Sequence, residues 1–187
     1  EIDGDKILNW VDIDTDNDRI WDKYEGASDT DTDGVAAYRD TDSDGDGTAD
    51  GAQASLSASD ITALEGSSTN SDGYILLSDA GLVLDLTAVG TNVQNLEYID
   101  MEDGSNAQTV IIDELAIVTV GQADRELVIL GEAGDTVDLS GAFGSGFADT
   151  GKDISIEGQK FSIYEGTTND DILTTLIIDD DITVTLT

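Results

Sequence analysis

From residue 74 onward the chain is a succession of short apolar runs separated by Gly, Asp and Asn. The runs are YILL (74–77), LVLDL (82–86), LEYIDM (96–101), TVII (109–112), ELVIL (126–130), TVDL (136–139), DISIE (153–157), KFSIY (160–164), LTTLIID (173–179) and ITVTL (182–186). They are rich in Val, Ile, Leu, Thr and Tyr, and several alternate apolar with polar residues, the period of a half-buried β-strand. DISIEGQKFSIY predicts a hairpin turning at Gly158, and LIIDDDITVTL another turning at Asp179–Asp181. DELAIVTV (113–120) fits a short helix or one more strand. AQASLSASD and EGSSTNSDG are small and polar, which predicts a linker over 54–73. The pattern predicts an all-β fold class, with a β-sandwich or a short β-solenoid over 74–187.

Residues 1–53 follow a different rule, an internal repeat. EIDGDKILNWVDIDTDNDRIWD (1–22) aligns with DTDTDGVAAYRDTDSDGDGTAD (29–50) at a shift of 28. Asp3, Asp5, Asp12, Asp14, Asp16, Asp18 and Asp22 fall on Asp31, Asp33, Asp40, Asp42, Asp44, Asp46 and Asp50. Ile7 falls on Val35 and Trp10 on Tyr38. Each 28-residue block contains two loops of the form D-x-D-x-D-G-x-x-D-x-x-D, which begin at Glu1, Asp14, Asp29 and Asp42. A solvated acidic tail does not account for that register.

Carboxylates at positions 1, 3 and 5 of a tight loop converge on one centre. A carbonyl at position 7 and carboxylates at 9 and 12 complete an oxygen shell of the kind Ca²⁺ takes. Mg²⁺ demands a stricter octahedron, and Zn²⁺ prefers the His and Cys that this chain lacks. The candidate ligands of loop one are Glu1, Asp3, Asp5, the Ile7 carbonyl, Asn9 and Asp12. Loop two offers Asp14, Asp16, Asp18, the Ile20 carbonyl, Asp22 and Glu25. Loop three offers Asp29, Asp31, Asp33, the Val35 carbonyl and Asp40, and loop four Asp42, Asp44, Asp46, the Thr48 carbonyl and Asp50. Gly34 and Gly47 stand at position 6, where a sharp turn favours positive φ. The position-7 side chains are expected to pack inward, and Trp10, Trp21, Tyr24 and Tyr38 to pack against the loops or the next domain rather than bind a ligand.

Successive loops lie one to three residues apart, which leaves no room for the flanking helices of an EF-hand. Residues 1–53 instead resemble thrombospondin type 3 repeats in their bacterial form. The resemblance implies a chain with little regular secondary structure wrapped around a row of Ca²⁺ ions, with neighbouring loops sharing carboxylates. On that basis Asp12 and Asp40 each close one loop while adjoining the next. The pattern departs from the family at Lys6 and Arg19 (position 6), at Ala37 (position 9 of loop three) and at Gln53 (position 12 of loop four).

GLVLDLTAVG, NLEYIDM, LVILGEAGDTVDL and ISIEGQKFSIYEG resemble a segment of very large secreted bacterial adhesins related to the repeats-in-toxin proteins. This resemblance implies a structural or adhesive region at the bacterial cell surface. Its expected partners are calcium ions and either further copies of the chain or a cell-surface or matrix ligand. GTTNDDIL (166–173) and GEAGDTVDL (131–139) are single echoes of that class's nonapeptide repeat, not an array.

Composition narrows the functions. The 187 residues carry 42 Asp plus Glu against 7 Lys plus Arg, a formal net charge of -35, so nucleic acid is not an expected partner. No apolar run reaches the ~20 residues that span a bilayer, so membrane insertion is not expected either. EIDGDKILNW lacks the features of a signal peptide, and Glu1 already opens a repeat, so the expectation is a fragment of a larger exported protein. Without His or Cys the common triads and thiol nucleophiles are excluded. The carboxylate pairs Glu102–Asp103, Asp113–Glu114 and Asp170–Asp171 are uninformative in so acidic a chain, and GAFGSGFADTG (141–151) lacks a phosphate loop's Lys. The expectation is a binding or structural protein, not an enzyme.

Overall fold

The computed structural model describes residues 2–3, 6–9, 11–66, 73–101, 107–121, 123–141, 144–156 and 158–186. Contacts divide the chain into two compact units, Glu1–Ser55 and Leu56–Thr187. Strand outweighs helix, and the fold is largely β. The strands are β1 (Ser55–Leu56), β2 (Tyr74–Leu77), β3 (Val83–Asp85), β4 (Tyr98–Asp100), β5 (Thr109–Ile111), β6 (Glu126–Leu130), β7 (Thr136–Leu139), β8 (Ala148–Ile156), β9 (Gln159–Thr167), β10 (Leu173–Asp179) and β11 (Thr183–Leu186).

In the second unit the strands alternate between two sheets. One has the order β1-β2-β4-β6-β10-β9-β8 and the other β11-β7-β5-β3. β2, β4, β6 and β10 pair in parallel, as do β3, β5, β7 and β11. From β2 to β7 successive strands alternate between the two sheets and pair in parallel within each.

The register explains the choice. Ile75, Ile99, Ile129 and Ile178 stand in one row across the first sheet. Leu84, Val110, Val137 and Val184 form a row across the second. All but Val184 are fully buried, and each buried side chain contributes about 1.5–3 kcal/mol by leaving water. Parallel strands buried on both faces also explain why β6 is almost continuously apolar.

The hairpin of β8 and β9 is inserted between β7 and β10, and β9 pairs antiparallel with β10. It turns at Gly158, whose φ of +95° suits glycine. The second expected hairpin does not form: β10 and β11, on either side of the Asp179–Asp181 turn, lie in different sheets, because each finds a parallel partner far back in the chain. The expected linker also gains structure. Ala58–Gly66 is a helix whose Ile61 and Leu64 join the core, a burial that small polar composition did not signal. Glu114–Val120 is a helix, capped by the Asp113 side chain, which accepts from the Ala116 N–H at 2.7 Å.

In the first unit the 28-residue repeat is a repeat of hydrogen bonds. The Asp22 N–H donates to the Ile13 carbonyl (2.7 Å), and its counterpart Asp50 to the Thr41 carbonyl (2.8 Å). Val11 bonds back to Leu8 as Arg39 does to Ala36. Positions 9 to 12 close as single α-helical turns in loops two and four (Asp22–Glu25 and Asp50–Gln53), and Ala37–Arg39 forms a 3-10 turn in loop three. Regular structure is otherwise sparse. Of the position-7 side chains only Ile20 is fully buried; Ile7 and Val35 are half-buried and Thr48 is exposed, so inward packing fails at the polar residue.

Candidate metal centre

Each loop is built by its own carboxylates. The first Asp accepts from the N–H of position 6: Asp14 from Arg19, Asp29 from Gly34 and Asp42 from Gly47, at 3.0–3.1 Å. The Asp at position 5 accepts from the N–H of position 7: Asp18 from Ile20, Asp33 from Val35 and Asp46 from Thr48, at 2.7–2.8 Å. Position 6 takes positive φ in all four loops, at Lys6 (+82°), Arg19 (+80°), Gly34 (+99°) and Gly47 (+92°). Lys6 and Arg19 therefore keep the turn, at the steric cost a side chain incurs in that region.

The loops bring the expected carboxylates together in part. Asp14, Asp16 and Asp18 gather in loop two, each offering an oxygen within 4.8 Å of the others, and Asp29, Asp31 and Asp33 do the same in loop three. Asp42 and Asp44 gather with Asp50 in loop four, and Asp18 also groups with Glu25 and Asp50. Asp46 is outside these groups; its Oδ1 accepts from the Thr48 N–H and the Gln53 side-chain amide. Asp12 and Asp40 turn to the N–H of Asp14 and Asp42 (3.2 Å), so each adjoins the next loop. Asp22 spends both oxygens on Thr15, accepting from its N–H (2.7 Å) and its Oγ1 (2.8 Å). In loop one Glu1, Asp5 and Trp10 lie outside the described residues, Asp3 joins no described group of carboxylates, and Ile7 and Asn9 are half-buried.

Of the three fully described loops, loop two is the most enclosed. Asp16 is 8% exposed, and both its oxygens are buried without a hydrogen-bond donor. Asp14 Oδ1 and both oxygens of Glu25 share that condition. Burial, reinforced by the charge of Asp18, pushes Asp14 up to about 7. Burial and the charges of Asp18 and Asp14 push Asp16 to about 7. Asp18 rises to about 6, again chiefly by burial. Glu25 is pushed to about 10 by burial and by Asp16, Asp18, Asp14 and Asp22. Carboxylates so placed are costly without a counter-charge, and a hard divalent cation supplies one. The donor set is all oxygen, which fits Ca²⁺.

Two features of the site were not expected. Thr15 is fully buried as the anchor of Asp22, and its counterpart Ser43 donates its N–H to Asp50 (3.0 Å); their shared place in the repeat was the available signal. Gln53 donates its amide to the Thr48 carbonyl (3.1 Å), so it meets the position-7 oxygen of loop four. Trp21 is buried and stacks on Tyr24 at 6.3 Å, beside the loop-two carboxylates in sequence.

No known protein family, curated protein or solved structure matches the chain. Among the described residues no helix is long and apolar enough to cross a membrane.

Proposed function

We propose that the first unit is a calcium-binding repeat module and that the chain is a calcium-stiffened structural or adhesive element of a large secreted bacterial surface protein. The observation that carries the calcium reading is Asp16: buried, with neither oxygen hydrogen-bonded, in a group with Asp14 and Asp18. Asp14, Asp16 and Asp18 would hold the ion of loop two, Asp29, Asp31 and Asp33 that of loop three, and Asp42, Asp44 and Asp50 that of loop four.

The mechanism is linkage. Without metal the carboxylates repel, and the free energy of binding becomes free energy of folding. Affinities in the extracellular range, ~10⁻⁴–10⁻³ M, would leave the module soft where calcium is scarce and rigid where it is abundant. That suits a protein exported unfolded. The parallel β unit, with its aliphatic rows, would serve as the load-bearing body.

A calorimetric titration of the calcium-free chain tests this. Several ions should bind in the millimolar to submillimolar range, with Mg²⁺ much weaker. No heat of binding up to ten millimolar Ca²⁺ (about tenfold above the weakest affinity expected) overturns the proposal.

A further inference from the structure

We propose that Asp18, Glu25 and Asp50 hold one additional divalent cation, which clasps loop two to loop four. The proposal rests on the calcium reading above but is not one of its loop sites. These three residues come from two loops that are not neighbours in sequence, and each offers an oxygen within 4.8 Å of the others. Asp18 belongs to both this group and the loop-two group, so it can bridge two ions.

Two independent observations point to a ligand there. Both oxygens of Glu25 are buried with no hydrogen-bond donor, and the negative charges of Asp16, Asp18, Asp14 and Asp22 all act on them. Asp50 is 6% exposed and uses only Oδ2 in a described hydrogen bond, to the Ser43 N–H. Three gathered carboxylates carry up to three negative charges away from water, which a hard divalent cation offsets.

The backbone is shaped for the approach. Asp18 Oδ2 accepts from the Gly51 N–H at 3.0 Å. A Cβ on Gly51 would lie 2.1 Å from the Asp18 carbonyl oxygen. The repeat's equivalent of Gly51 is Lys23, an exposed side chain in loop two. The loop itself therefore does not require glycine at this position; the approach of Asp18 does. Loop four's own counterpart of Asp18, Asp46, has no such partner group among the described residues. An ion at this clasp makes loops two to four gain order together instead of one by one.

The test is the number of calcium ions bound by the full chain, counted by native mass spectrometry. Gly51→Ala removes no carboxylate, and Glu25→Gln is nearly isosteric; each should hold one ion fewer than wild type. A Gly51→Ala chain that keeps the wild-type count overturns the clasp, whatever Glu25→Gln does, and leaves the loop sites standing. Should Gly51→Ala lose every ion, Glu25→Gln in an Asp50→Asn background decides. If the two carboxylates share an ion, Glu25→Gln removes one ion from the wild-type chain and none further in that background; any other pair of counts overturns the clasp. A wild-type chain that binds no calcium overturns the loop reading and the clasp together.

Discussion

The carboxylate of Asp18 accepts a hydrogen bond from the backbone N–H of Gly51, 33 residues further along the chain. It joins the position-5 ligand of loop two to the helical turn that ends loop four. The first unit is thus closed on itself by one of its own candidate ligands.

The calcium-free first unit should be more stable in mild acid than at neutral pH. Asp14 and Asp16 are raised from 3.8 to about 7 and Glu25 from 4.5 to about 10, all chiefly by burial. A carboxyl raised in the folded state binds its proton more tightly there than in the unfolded chain. The stability it lends is fully present below the unfolded value and is lost as pH rises through the folded one. In chelator, resistance to proteolysis should therefore fall between pH 4 and pH 7, and calcium at pH 7 should restore it. Binding near pH 6.5 should also release protons, seen as heat that varies with the buffer.

Gly47→Ala should weaken the loop-four site without a steric clash. Gly47 has φ +92° and nothing lies within 4 Å of the Cβ it would gain, so backbone strain is the whole effect. About 1 kcal/mol of strain corresponds to about fivefold weaker calcium binding in one calorimetric step.

Thr15→Val should remove one of the two hydrogen bonds that hold the Asp22 carboxylate. The hydroxyl donates to Asp22 Oδ2 at 2.8 Å from a fully buried position, and valine keeps the shape while removing that donor. The expected loss is about 1–3 kcal/mol, read as a higher calcium concentration at the folding midpoint.

Legibility in the sequence followed the range of the interaction. Every apolar run from YILL to ITVTL overlaps a strand, because a two-residue period is local, and YILL, ELVIL, TVDL and LTTLIID match strand bounds. Asp179–Asp181 misled because a tight acidic turn reads the same whether the next strand folds back or crosses to another sheet. What decides is that Ile178 pairs with Ile129, far away in sequence. The helix Ala58–Gly66 was hidden in small polar residues with only Ile61 and Leu64 to pin it. At the metal centre, positions 1, 3 and 5 were legible as one turn of chain. That Asp22 turns to Thr15, or that Asp50 reaches Asp18, depends on folding that the spacing does not encode.

Ile129→Ala should destabilise the second unit. Ile129 is fully buried in the middle of the row from Ile75 to Ile178, and it carries neighbours on both sides. Truncation at such a site costs about 2–5 kcal/mol, which thermal unfolding of the β unit should register as a lowered midpoint.

The central claim is that calcium folds the first unit, and hydrogen–deuterium exchange of the full chain with and without calcium tests it most directly. In millimolar calcium the N–H groups of Asp22 and Asp50, bonded to Ile13 and Thr41, should exchange slowly. In chelator at neutral pH the amides of residues 11–55 should exchange at rates near those of an unfolded chain, while β2 to β11 stay protected. Equal protection of residues 11–55 in calcium and in chelator would contradict the account.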